Sequence, residues 1–225
     1  MSSPPLQICL IGGSAEYPSR ILACLDFLAP LLQVAGATTR IWDLAQDPLP
    51  LLGPLYYPDP FLHTSEAVRK FAYLASQADA FVWGSPVYHN SFSGVLKNAL
   101  DSLSIPQFRH KPVAFISCGN SDRTGSQPCD HLRMVACALH AVAVPTQLVA
   151  LPSDFTAAHD RYHLTNAGLQ ERMASLAKEL IVYATIMRTL RTRTTSGSLR
   201  AQTNGLQNEE IVCLQDPSYS SLSSS

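Results

Sequence analysis

The sequence contains no Cys-x-x-Cys pair, and no histidine stands at finger-like spacing from two of its six cysteines, Cys9, Cys24, Cys118, Cys129, Cys137 and Cys213. That pattern speaks against zinc fingers and Cys-x-x-Cys redox motifs, and a chain of 225 residues needs no disulfide framework to fold. Buried, reduced thiols are the expectation. A charge excess of either sign is also missing: sixteen basic residues face seventeen acidic ones, for a formal charge of −1. A general nucleic-acid binder would carry a large basic excess, so nucleic acid is not an expected partner. No apolar run approaches the roughly 18 residues of a membrane span, and Ile8–Ile11 is far too short for a signal-peptide core. Met1–Pro5 lacks a basic flank. No membrane partner is expected, and the expected location is the cytoplasm. Neither G-x-x-x-x-G-K-[ST] nor G-x-G-x-x-G occurs at the first glycine-rich loop, which weakens a nucleoside triphosphate or a dinucleotide as its ligand.

What is present is an alternation of short apolar runs with helical periods. Gln7–Gly12, Thr38–Leu44, Ala80–Gly84, Pro112–Ser117 and Thr146–Leu151 read as strands. Between and after them, Ser19–Ala35, Ser65–Ala78, Ser93–Leu103, Pro128–His140 and Asn166–Leu190 read as helices, with Pro30 expected to kink or shorten the first and Ser65 to cap the second. The proline-rich stretch Pro48–Pro60 reads as a surface connection. The prediction is an α/β fold, a five-stranded parallel sheet covered by helices on both faces, over residues 1–191. Residues 192–225 turn to Ser, Thr, Gln and Asn without a period and are expected to be a disordered polar tail.

In such a sheet, ligands bind beyond the carboxyl ends of the strands at the switch in strand order. The loop after the first strand runs Gly12-Gly13-Ser14-Ala15-Glu16-Tyr17-Pro18-Ser19-Arg20. Glycines let the backbone approach a ligand, a helix N-terminus supplies free N–H groups, and Ser14, Ser19 and Arg20 add donors suited to a phosphate.

The loop after the third strand, from Gly84 to Asp101, reads GSPVYHNSFSGVLKNALD. It resembles the flavin loop of the NADPH-dependent FMN reductases, roughly T/S-P-x-Y-x-x-S-x-x-G-x-L-K-N-x-L-D. Tyr17-Pro18-Ser19-Arg20 likewise resembles the phosphate loop of that family, nearest to its alkanesulfonate-associated members. The resemblance implies a flavodoxin-like fold of strand order 2-1-3-4-5 and FMN as cofactor, with NADPH or NADH as hydride donor. Pro86, Val87 and Tyr88 would lie along the isoalloxazine, with backbone N–H groups directed at its polar edge, and Asn90 and Ser91 would lie near the ring. Ser117, Cys118, Gly119 and Asn120 would stand near its pyrimidine side, although Asn120 replaces a glycine usual in the family. Lys97 and Asp101 suit an i, i+4 pair. The family's dimer surface implies a homodimer or homotetramer, and a flavin-accepting monooxygenase is a further implied partner.

Hydride transfer between two cofactors requires no acid–base side chain, so the absence of a catalytic triad is consistent with this reading. His89, His110 and His131 are expected to be surface or packing residues. Arg123 and Arg133 are candidates for a 2′-phosphate, and Cys118 for a redox role. Competing readings are a quinone, azo or nitro reductase with bound FMN, a flavodoxin-type electron carrier, and a non-catalytic interaction protein working through its tail. The chain lacks the strong acidity and the T-x-T-G-x-T loop of the carrier.

Overall fold

Leu6–Gly12 forms β1, and every residue from Ile8 onward in it is buried. Its neighbours explain why: Leu10 pairs with Ile41 of β2 (Ala37–Asp43) on one side and with Val82 of β3 (Ala80–Pro86) on the other. With β4 (Pro112–Cys118) and β5 (Val142–Ala150) the strands make a parallel sheet of order β2-β1-β3-β4-β5. The computed structural model describes residues 4–53, 59–121 and 125–195. The chain divides into two compact units, Met1–Arg188 and Thr189–Ser225, and the sheet lies in the first.

Side chains alternate across the sheet, so one strand feeds two cores. Ile8 and Leu10 of β1, Val82 of β3, and Ala114 and Ile116 of β4 pack with α1 (Arg20–Val34) and α6 (Ala167–Thr195). Cys9, Ile11, Phe81, Trp83, Val113 and Phe115 pack on the other face. Their cover comes from α2 (Glu66–Gln77), α3 (Gly94–Asp101), α4 (Ile105–Phe108) and α5 (Gln127–Ala138). This two-sided burial is the reason the inner strands β1, β3 and β4 read as continuous apolar runs rather than as alternating ones.

Several boundaries differ from expectation. Pro30 neither ends nor shortens α1; it sits at an exposed position within the helix. Ser65 occupies the N-cap position of α2, but its side chain caps nothing; its amide donates to His63 Nδ1 at 2.9 Å. Strand β5 begins four residues earlier than Thr146, and it tolerates Pro145 because it is an edge strand with a register shift against β4. Helix α6 continues to Thr195, and the expected tail beyond it lies outside the described residues. Without counterpart in the sequence reading are α4, short 3-10 helices at Pro60–Leu62 and Pro152–Asp154, and an antiparallel hairpin of β6 (Phe155–Ala158) with β7 (Arg161–Leu164). Lys97 and Asp101 do pair, at 2.7 Å on an exposed face.

At the carboxyl edge a buried network joins three segments. The Gly13 amide donates to the Gly84 carbonyl at 2.8 Å. The Ser93 hydroxyl donates to the Gly13 carbonyl and accepts the Leu96 amide at 3.2 Å, capping α3. The Ser93 amide in turn donates to Ser85 Oγ at 2.9 Å. Replacing Ser93 by Ala removes the cap and leaves the Gly13 carbonyl without this partner. We expect Ser93→Ala to lower unfolding free energy by about 1–2 kcal/mol, read in urea or thermal melts. Wild-type stability in that variant would show the network to be dispensable.

Candidate functional site

The ends of β1, β3 and β4 surround a cleft of about 220 Å³. From the first loop, Ser14, Pro18, Ser19 and Arg20 line it; from the β3 loop, Pro86, Val87 and Tyr88; from the β4 loop, Cys118, Gly119 and Asn120. Ten of the residues singled out in the sequence therefore line one cavity, which Asn90, Ser91 and Ser117 do not.

The first wall is built for an anion. Ser19 caps α1 by accepting the Leu22 amide at 3.0 Å, and Ser14 Oγ accepts the Glu16 amide at 3.1 Å. Each hydroxyl keeps its hydrogen for a ligand. The first-turn amides of α1 at Arg20 and Ile21 have no intrahelical carbonyl to bond, and the positive end of the helix dipole lies with them. The Nε of Arg20 is buried without a hydrogen-bond partner, and its guanidinium lies 5.0 Å from the centroid of the Tyr162 ring. A buried donor without an acceptor is costly, and a phosphate oxygen is a fitting partner for it.

The second wall is shaped by a tight turn. Tyr88 and Ser91 exchange backbone hydrogen bonds of 2.9 Å each, and the two residues between them, His89 and Asn90, take positive φ values of 48° and 62°. The turn carries Tyr88 at 42% exposure onto the cleft rim. Partial burial, with the carboxylate of Glu16 second, pushes the Tyr88 phenol above its ordinary range. Tyr88 therefore faces the cleft as a neutral hydroxyl.

The structure corrects several assignments. Asn90 sits at the exposed tip of the turn, away from the cleft lining. Ser117 is fully buried and donates to the Gly125 carbonyl, so it holds the β4 loop instead of facing the cleft. The Val87 amide is taken by the Cys118 carbonyl at 2.8 Å, the Tyr88 amide by Ser91, and the Gly119 amide by the Ala150 carbonyl at 3.1 Å. These three amides are therefore not open donors for a ring edge. Arg133 is committed to β5: it donates to Gln147 Oε1 (2.9 Å) and to the carbonyls of Val144 (2.8 Å) and Pro145 (2.7 Å). Arg123 lies outside the described residues. None of His89, His110 and His131 lines the cleft; His131 Nδ1 lies 3.0 Å from Ser91 Oγ.

Three lining residues, Glu16, Ile21 and Tyr162, escaped the sequence reading as site residues. Glu16 stands in the loop that was singled out. Tyr162 arrives from the unforeseen β6–β7 hairpin, which Asp154 anchors by accepting the Leu151 amide at 2.7 Å and Asn166 Nδ2 at 2.8 Å. Tyr88 also borders a second, mostly apolar cleft of about 300 Å³ with Ala15, Leu44, Leu49, Leu51 and Val95. A third cavity of about 340 Å³ lies across Pro18 and Ser19 from the first, with Asp26, Asp43, Asp47 and Arg161 in its walls.

Known proteins resemble this chain in sequence and fold. The family model for NADPH-dependent FMN reductases matches residues 6–156. An FMN-dependent NADPH-azoreductase of Staphylococcus saprophyticus is 35% identical over 179 residues, covering 77% of this chain and 93% of that protein. The protein of the same name in Staphylococcus aureus is 33% identical over 176 residues, with the same coverage. Among solved structures, the flavoenzyme NAD(P)H:(acceptor) oxidoreductase FerB from Paracoccus denitrificans superposes with a TM-score of 0.64. That match has 17% identity, covers 81% of this chain and 98% of FerB, and shows the flavodoxin-like fold. By the family match and these relatives, the chain belongs to the NADPH-dependent FMN reductases, enzymes that use NAD(P)H and FMN.

Proposed function

We propose that this chain holds FMN in the 220 Å³ cleft and uses NADPH or NADH to reduce a planar aromatic acceptor through it, azo compounds first among the candidates. The observation that carries the reading is the buried, unpartnered Nε of Arg20 at the start of α1, in a cleft walled on its other side by Pro86, Val87 and Tyr88. When bound, FMN supplies the redox chemistry, accepting a hydride and passing electrons on. The chain's own contribution is placement. Ser14, Ser19, Arg20 and the α1 amides hold the phosphate, Pro86–Tyr88 wall one side of the ring, and Cys118–Asn120 close the other. The apolar cleft beyond Tyr88 offers room for the hydrophobic part of an acceptor, and the names of the curated relatives support azo compounds in that role.

In a second reading the chain reduces free FMN, which the family's description as FMN reductases supports, and the reduced flavin passes to a flavin-accepting monooxygenase. Parallel assays of NADPH oxidation with an azo dye, a quinone, a nitroaromatic and free FMN separate the two. Turnover of the dye by a yellow purified protein supports a bound cofactor. Turnover of free FMN alone, by a colourless protein, supports the second reading.

A homodimer or homotetramer is part of the same proposal. Leu51 and Leu52, 85% and 38% exposed, stand beside α3 and the apolar cleft, where a second copy would cover them. Light scattering should give at least twice the 24.5 kDa chain mass at micromolar concentration, and a monomer would remove this part.

Two substitutions divide the flavin site. Arg20→Ala should weaken FMN by about 1.5–3 kcal/mol while leaving riboflavin nearly unchanged, since only the phosphate meets the guanidinium. Ser19 is unsuited to this test because its hydroxyl caps α1. Tyr88→Ala should weaken both flavins by roughly 1–3 kcal/mol without lowering the melting temperature, because Tyr88 lies outside the core. Fluorescence-quenching titrations beside thermal melts read both. Unchanged affinity with a lowered melting temperature would make Tyr88 a packing residue.

A further inference from the structure

We propose that Cys24 and Cys118 form a reversible disulfide beneath the cleft, made when a hydroperoxide oxidises Cys118. The two sulfurs lie 3.9 Å apart, although their residues are 94 positions apart in sequence. Cys24 is on the inner face of α1 and is completely buried, whereas Cys118 ends β4, is half-buried and lines the cleft. One thiol is therefore reachable from solvent, and the other lies behind it.

The other cysteines among the described residues differ. Cys9 and Cys129 are buried, do not line the cleft, and have thiols pushed by burial to about 12 and about 11. Cys137 is exposed on α5. Cys24 is raised well above the ordinary thiol range, first by the hydrogen bond it shares with Cys118 and then by burial. It therefore stays protonated beside the Cys118 sulfur and does not react on its own.

The chemistry balances without a further reactant. Cys118 attacks the hydroperoxide, the O–O bond breaks, and the products are a sulfenic acid and an alcohol, or water from hydrogen peroxide. Cys24 then attacks the sulfenic sulfur. An S–S bond forms, the S–O bond breaks, and the Cys24 proton leaves with the hydroxyl as water. Two thiols lose two electrons in all, and the hydroperoxide gains them. The bond would need a sulfur–sulfur distance of about 2.0 Å, so the two side chains must close the present gap. An external thiol can reverse the bond by exchange at Cys118.

The test begins with flavin-free protein treated with hydrogen peroxide, quenched by alkylation and mapped by mass spectrometry. The expected result is a cross-linked pair of peptides carrying Cys24 and Cys118, lost on treatment with dithiothreitol and absent in Cys118→Ser. In Cys24→Ala, a 1,3-dione probe should label Cys118 as a sulfenic acid. No such pair in folded wild-type protein, or no label at Cys118 in the folded variant, would overturn the proposal. Protection by FMN rests on the flavin site proposed above: saturating FMN should slow cross-linking at least five-fold by covering Cys118. A cross-link that forms equally fast with FMN keeps the disulfide and removes Cys118 from the flavin's cover.

Discussion

The contact between Gly13 and Gly84 sets the geometry on which the site depends. The Gly13 amide reaches the Gly84 carbonyl at 2.8 Å. A Cβ at Gly13 would lie 2.6 Å from that oxygen and 2.8 Å from Leu96 Cβ, and one at Gly84 would lie 2.8 Å from Ile21 Cγ2. No side chain fits at either position, so the loop after β1 rests directly on the end of β3, with α1 against both. The phosphate-suited helix terminus and the ring-suited wall are thus placed by one close approach of backbone to backbone. Ser93 extends the constraint by holding Gly13 from the α3 side.

Buried serines repeat this role along the carboxyl edge. Ser85, Ser93 and Ser117 are at most 1% exposed, and each hydroxyl bonds backbone of the loops rather than facing the cleft. A loop that leaves a buried strand carries amides and carbonyls into a region with little water, and each needs a partner. A small hydroxyl supplies one without filling the cavity. The same economy explains the corrected backbone donors: the amides of Val87 and Gly119 are used to fasten one loop to the next.

The inner strands of the sheet were legible because burial on both faces leaves little room for polar residues, so β1, β3 and β4 show as apolar runs, whereas the edge strands β2 and β5 are only partly buried. Helix starts were legible where a serine stands at the N-cap, as at Ser19, Ser65 and Ser93, although only Ser19 and Ser93 make the capping bond with their side chains. Helix α4 did carry a signal in Ser104 and Gln107, the spacing of a capping box, but its four residues show no period. The β6–β7 hairpin showed no signal: its strands have four residues each and are largely exposed, so apolar patterning is weak. Tyr162 was therefore invisible as a site residue. Arg133 illustrates the opposite error. A basic residue beside a proposed phosphate site looks available in sequence, yet the carbonyls of Val144 and Pro145 already take its donors.

The charge around the cleft decides which of its donors matters most for an anion. Glu16 lines the same cleft as Arg20, so a dianionic phosphate meets one formal positive and one formal negative side chain. The two unit charges offset each other at long range, which suits the near-neutral balance of the whole chain. What remains is directional and short-range: the α1 amides, the hydrogens of Ser14 and Ser19, and the Arg20 guanidinium. Helix-dipole effects at an exposed terminus amount to about 0.3–1 kcal/mol, whereas a hydrogen bond to a charged partner contributes about 1.5–3 kcal/mol. A half-buried guanidinium stacked on Tyr162 also loses little side-chain freedom on binding, because its position is already fixed. The hairpin that the sequence concealed thus places Tyr162 against the Arg20 guanidinium and makes it part of the proposed phosphate site.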